Sequence, residues 1–182
     1  MPRNNYNFNQ IKMVFISLIL GLSILSTTAQ ETNSSRKDRR ANRKEKRMEE
    51  VKQWITERSF LFEATHAQPS GGGSLSLTHT YGVELKGDTL ISYLPFFGVA
   101  YQVDFGNRNS PMDFTQPIQR FETEERKDGY LIKLEVKNNM DNLSYTWHIS
   151  SQGFATLHVT STSRRAISYT GQIDTYKEEF QP

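Results

Sequence analysis

The side chains in this sequence that could do chemistry are four histidines and scattered carboxylates. His148 and His158 fall on the polar face of one predicted hairpin, diagonally within reach of each other. A metal site would need a third ligand, and no carboxylate has a suitable spacing. Glu122 and Glu124 share one strand face, whereas glycoside hydrolysis needs two carboxyls facing each other across a cleft. We therefore predict no metal site and no cofactor.

Nucleophiles are equally scarce. The chain has no cysteine, which rules out a thiol nucleophile, thiolate zinc sites, disulfides and a lipid-anchoring cysteine after a signal peptide. No serine has the context of a nucleophile elbow. The glycines of 71–74 lack the lysine ending of a phosphate loop, and they lead into a strand. The sequence identifies no catalytic residue, and it favours a non-catalytic protein.

The least ordinary stretch is 92–101, which reads Ser-Tyr-Leu-Pro-Phe-Phe-Gly-Val-Ala-Tyr. Four aromatic residues separated by proline and glycine cannot all follow a regular alternating strand. They fit a bulged, corner-turning core segment, or an aromatic rim around a ligand pocket beside a long loop at 104–117. The second alternative defines the candidate ligand-binding residues, which are Tyr93, Phe96, Phe97, Tyr101, Asn107 and Arg108.

The N-terminal segment carries the pattern of a secretory signal peptide. Lys12 precedes an apolar run of about thirteen residues, and the small residues Thr27 and Ala29 precede a break. The run is shorter than the roughly 20 apolar residues that a membrane span needs. We expect cleavage after Ala29, and hence an exported protein of the periplasm, cell envelope or extracellular space with no transmembrane helix in the mature chain.

Charge is uneven along the chain. The segment 36–47 holds eight basic and two acidic residues, whereas residues 59–182 hold ten basic and fourteen acidic ones. Nucleic-acid binding would need a basic folded domain, so no nucleic-acid partner is expected. We predict a signal peptide at 1–29, a charged disordered or frayed-helix tether at 30–46, one β-rich domain at 47–176 and a tail at 177–182.

Periodicity predicts the elements of this domain. Met48, Val51 and Ile55 form an apolar stripe on a helix over 47–58, which would dock on the domain. After Ser59 the period becomes two, with turns about every ten residues. We therefore predict a mainly β (α+β) fold. An antiparallel meander of eight or nine strands forms a barrel or a two-layer sandwich after one amphipathic helix.

The hairpin at 143–161 allows its register to be predicted. Placing Trp147 opposite Leu157 leaves a three-residue loop at 151–153, and such loops end on a left-handed residue, here Gly153. This register buries Trp147 among apolar neighbours. His148 then lies opposite Thr156 on the polar face.

Several segments together resemble a family of uncharacterised exported proteins of Bacteroidetes, the domain of unknown function 4251 (DUF4251). They are Val51–Ile55, Phe60–Ala64, Tyr93–Tyr101, Gly153–Leu157 and Ile167–Gly171. The resemblance covers about residues 48–173 and implies an envelope location. Many members resemble lipoproteins, which this chain does not match because it lacks the cysteine. The family supplies no catalytic or binding residues.

Three functions are compatible with the sequence. The favoured one is a non-catalytic envelope protein that binds a small ligand or an envelope partner through the aromatic segment and the adjacent loop. The first alternative is a hydrolase of envelope glycan or peptide whose catalytic groups meet only in the fold. The second is a purely structural envelope component.

Overall fold

The structure is a computed structural model, which describes residues 28–98, 110–139 and 141–175, with side chains from Arg36 onward. One helix precedes eight strands in these ranges: α1 (Thr28–Thr56), β1 (Ser59–Pro69), β2 (Leu75–Lys86), β3 (Thr89–Leu94), β4 (Met112–Arg126), β5 (Gly129–Asn138), β6 (Asp141–Ser150), β7 (Phe154–Ser161) and β8 (Ile167–Asp174). The predicted mainly β fold with an N-terminal helix is confirmed.

The strands form a closed antiparallel barrel in which each strand pairs with the next. Closure comes from β1 and β8, where Phe62 pairs with Ile173 and Pro69 pairs with Ile167. This pairing decides between the two predicted architectures, since a sandwich would leave these strands as free edges. A closed barrel removes the free edges that would otherwise pair with other chains.

The β6–β7 hairpin has the predicted register. Trp147 pairs with Leu157 and His148 pairs with Thr156. The loop at 151–153 ends on Gly153, whose φ is 90°. Alternation and turn chemistry specify the same pairing, which is why this register could be predicted from sequence.

The long loop was predicted with the wrong end. It was placed at 104–117, whereas β4 already begins at Met112, and Met112 pairs with Leu94 while Pro117 pairs with Thr89. Pro111 and Pro117 had suggested irregular structure. Pro117 is tolerated near the β2–β3 turn, where the following residue, Ile118, donates its backbone N–H to the Asp88 carbonyl at 2.8 Å.

Alternate residues of the strands fill the barrel interior with apolar side chains. Trp147, Tyr145 and Tyr169 are each fully buried there. Two tyrosine hydroxyls find partners: Tyr145 shares a 3.2 Å hydrogen bond with Ser92, and Tyr169 donates to the Pro95 carbonyl at 2.8 Å. Burial raises the pKa of both tyrosines, so above about pH 10 their ionisation favours the unfolded chain.

Helix α1 is longer than the predicted 47–58, because a run of helix-forming residues without proline or glycine extends it back to Thr28. Two residues of the predicted stripe, Val51 and Ile55, join the barrel core, whereas Met48 stays 40% exposed. No helix in the described ranges is both long and apolar enough to span a membrane.

The last turns of α1 close the barrel at the end where the β2–β3, β4–β5 and β6–β7 turns lie. Arg47 donates to the Ile173 carbonyl at 2.8 Å and lies 4.6 Å from the centre of the Trp54 ring. A Cβ on Gly153 would come within 3.2 Å of the Val51 side chain. The chain divides into two units, Met1–Glu45 and Lys46–Pro182, and these contacts lie within the second.

Candidate functional site

An open groove of about 730 Å³ crosses the outer surface of the barrel. Its floor is formed by the ends of β6, β7 and β8, and the β4–β5 turn forms one wall. We call this feature the Phe154 groove. Fifteen residues line it: Thr65, Arg126, Lys127, Asp128, Gly129, Tyr130, His148, Ile149, Ser150, Phe154, Ala155, Thr156, Thr170, Gly171 and Gln172.

Strand alternation places the polar side chains of the groove in two rows. His148 pairs with Thr156, and Thr156 pairs with Thr170 across three neighbouring strands. In the next row Phe154 pairs with Gln172. Paired side chains on one face of a sheet lie about 5 Å apart, so the first row presents three adjacent polar groups to a ligand and the second places an aromatic ring beside an amide.

Phe154 is the exposed aromatic residue of the groove. Its side chain is 65% exposed, although its neighbours Ala155 and Leu157 point into the core. The preceding turn fixes its backbone: Gly153 donates to the Ser150 carbonyl at 2.9 Å, and the Phe154 N–H donates to Ser150 Oγ at 3.1 Å. An exposed phenylalanine on a rigid turn is a ready contact for a ligand.

Two glycines of the groove lining allow the backbone of a neighbouring strand to approach closely. Gly129 has a φ of 153°, and a Cβ there would lie 1.9 Å from the Ile149 carbonyl oxygen. A Cβ on Gly171 would lie 1.9 Å from the Glu63 carbonyl oxygen. Larger residues at these positions would push the strands apart, so the close pairing of these strands depends on both glycines.

The lining combines the rings of Phe154 and Tyr130 with neutral hydrogen-bonding groups and with the cations Arg126 and Lys127. Hydroxyls come from Ser150, Thr156 and Thr170, an imidazole from His148 and an amide from Gln172. Asp128 is the single carboxylate among the lining residues. Within the described ranges, no three histidine or acidic residues come together as a metal site would require. The arrangement is suited to holding a ligand that has both an apolar face and hydroxyl groups.

The predicted aromatic site is only partly described. Tyr93 lies at 5.3 Å from Tyr81 between ring centres, Phe96 is half-buried against the core, and Phe97 is 37% exposed. Tyr101, Asn107 and Arg108 lie outside the described residues. None of the three described aromatic residues lines the Phe154 groove, so the two candidate surfaces are separate.

The fold is shared with known proteins. The model of the family described as domain of unknown function (DUF4251) matches residues 42–173, which include the second half of α1 and nearly the whole barrel. The chain belongs to the DUF4251 family. The resemblance found in the sequence is confirmed, and the matched region contains every residue that lines the groove.

A crystal structure of a DUF4251 family protein from Bacteroides eggerthii DSM 20697 is similar to this DUF4251 chain with a TM-score of 0.54. The two sequences are 12% identical, and the match covers 71% of this chain and 87% of the other. At this identity the likeness establishes the fold alone. The comparison with functionally curated proteins gives no match.

Sequence reasoning did not single out the Phe154 groove in this DUF4251 protein, although one signal was present. The predicted register puts Phe154 on the same face as Thr156 and His158, where a large aromatic residue is out of place. A single exposed apolar residue is ordinary, so this signal identifies a contact surface only together with a groove beside it.

Proposed function

We propose that this DUF4251 protein is an exported, non-catalytic protein of the cell envelope that binds glycan in the Phe154 groove. The observation that carries the proposal is an aromatic residue 65% exposed in a groove of about 730 Å³ whose lining also presents hydroxyl, imidazole and amide groups. The single lining carboxylate, Asp128, supports binding over glycoside hydrolysis, which ordinarily uses a pair of carboxyls.

Sugar chemistry matches the groove. One face of a pyranose ring presents C–H groups that pack against an aromatic ring, while its edge presents hydroxyls that both donate and accept hydrogen bonds. Phe154 supplies the ring, and His148, Thr156 and Gln172 supply the polar partners. A peptide that binds by strand addition needs a free sheet edge, whereas the floor strands of the groove, β6, β7 and β8, are each paired on both sides.

The aromatic segment supports a second contact surface in the same function. In this segment Phe97 is 37% exposed, and the Tyr93 ring lies 5.3 Å from the Tyr81 ring between centres. The residues proposed for this surface remain those that the sequence indicates: Tyr93, Phe96, Phe97 and Tyr101 of the aromatic segment, and Asn107 and Arg108 of the loop predicted after it.

Export is supported by the N-terminal pattern of Lys12, an apolar run and the small residues Thr27 and Ala29. We expect the chain recovered from the cell envelope to begin at Gln30, as N-terminal sequencing would show. An envelope-associated chain that still begins at Met1 would contradict cleavage.

Binding can be tested with soluble disaccharide-peptide fragments of peptidoglycan, followed by NMR titration of the full chain. We expect resonances of the groove residues to shift. Phe154→Ala should weaken binding about tenfold, which corresponds to about 1.4 kcal/mol of lost contact energy. Leu75→Ala is the matched control, because Leu75 is also exposed, at 43%, and does not line the groove.

The same titration separates the other possibilities. Loss of binding in Phe97→Ala, but not in Phe154→Ala, would transfer the site to the aromatic segment. Cleaved fragments in the mixture, detected by chromatography, would favour the hydrolase. Absence of any shift with glycan would contradict the proposal and favour a purely structural component.

A further inference from the structure

The middle of α1 carries a cluster of positive charges on one side of the helix. Residues 36–44 are helical and their side chains are all exposed. Arg36, Arg39, Arg40 and Arg43 follow the i, i+3, i+4, i+7 spacing, which places them along one face. We call these four residues the basic stripe.

The neighbouring charged residues make the difference in charge between the two sides of the helix larger. Lys37 and Lys44 are seven residues apart and flank the basic stripe on one side. Asp38 and Glu45 are also seven residues apart, and at 100° per residue they fall on the opposite side of the helix. Six cations therefore occupy about half of the helix surface over a length of about 12 Å.

The basic stripe is electrostatically unfavourable for an isolated helix. Like charges at i, i+4 repel each other, and the stripe contains such pairs at 36/40 and 39/43. Attraction to an anionic surface would offset the repulsion among these arginines. Because residues 36–44 include no apolar side chain larger than Ala41, contact with such a surface would be peripheral, without insertion into a hydrocarbon layer.

We propose that the basic stripe binds the anionic headgroups of a phospholipid bilayer and so holds the protein against a membrane. A straight, one-sided charged face complements a planar surface. The choice of lipid over other polyanions rests on the proposed export, because the segment directly follows the predicted signal peptide and would emerge beside the membrane. Each Lys or Arg near an anionic bilayer strengthens binding about fivefold.

The test is cosedimentation of the full chain with vesicles of phosphatidylglycerol and phosphatidylcholine, compared with vesicles of phosphatidylcholine alone. The stripe variant replaces Arg39, Arg40 and Arg43 with glutamine. The control variant makes the same charge change on the exposed barrel surface, at Lys133, Lys137 and Arg165. Since residues 1–29 are present in every sample, differences between the variants report on the charges alone.

We expect the stripe variant to lose about a hundredfold in its partition onto anionic vesicles, and the control variant to lose much less. Raising the salt to 1 M should weaken wild-type binding, because screening then acts within about 3 Å. Equal losses in the two variants would overturn the proposal, and so would tighter binding to heparin or DNA than to anionic vesicles at the same charge concentration. Glycan binding does not require these arginines, so either proposal can fail while the other stands.

Discussion

Replacing Trp147 with alanine is expected to lower the free energy of unfolding by about 3–5 kcal/mol. Trp147 is fully buried, stacks on Tyr145 at 5.6 Å between ring centres and meets the edge of Phe60 at 6.1 Å. Its indole N–H has no hydrogen-bond partner among the described residues, so the expected loss comes from packing alone. Denaturant unfolding monitored by circular dichroism provides the measurement.

Phe154→Ala is the control for this experiment, because it removes an aromatic ring from the neighbouring strand where the ring is 65% exposed. We expect that change to alter stability by no more than about 0.5 kcal/mol. Trp147→Phe should lie between the two, since it keeps a ring in the core. A loss below about 1 kcal/mol in Trp147→Ala would contradict the burial of this residue.

Replacing Asp141 with alanine is expected to cost a comparable amount, about 3–5 kcal/mol, by a different mechanism. Asp141 is buried at the start of β6 and forms an ion pair with Arg164, and each side chain is only 9% exposed. The carboxylate also accepts hydrogen bonds from Ser161 Oγ at 2.8 Å and from the backbone N–H of Thr162 at 3.1 Å. Its removal leaves the Arg164 charge buried and frees the β7–β8 connection.

The exposed pair of Arg120 and Glu122 is the matched control, since these side chains are 64% and 51% exposed. Glu122→Ala should cost less than about 1 kcal/mol, because solvent screens such pairs. Combining Asp141→Ala with Arg164→Ala should cost less than the sum of the single changes, since no unpaired charge is then buried. Additive losses would show that the two residues stabilise the barrel independently.

The pairing of two strands can be predicted from the sequence where one face of each strand is buried and the turn between them has a characteristic residue. The β6–β7 register followed from alternation around Trp147 and from the position of Gly153 in a three-residue loop. The same reasoning places the start of β4 too late, because a proline such as Pro117 predicts irregular structure, whereas the strand begins at Met112. The pairing of Pro117 with Thr89 depends on a strand that lies far away in sequence.

The candidate site likewise depends partly on a local pattern and partly on strands that lie far apart in the sequence. Alternation alone puts Phe154 on the outer face of β7, yet a groove beside it exists only because the β4–β5 turn and β8 come close to β7. Gly129 lets its strand approach the Ile149 carbonyl of β6, and Gly171 lets β8 approach the Glu63 carbonyl of β1. A glycine in the sequence carries no information about which strand will pack against it. The aromatic residues at 93–97, conspicuous in sequence, lie away from this groove.

By itself, the sequence determined the elements that a two-residue or 3.6-residue period can specify: an apolar helix stripe, a run of antiparallel strands and the pairing of neighbours through short turns. Tertiary structure alone decided that the sheet closes, because β1 and β8 are about 100 residues apart and their contact depends on the summed twist of every strand between them. It also decided which exposed side chains share a groove, since that depends on strand curvature rather than on any local pattern.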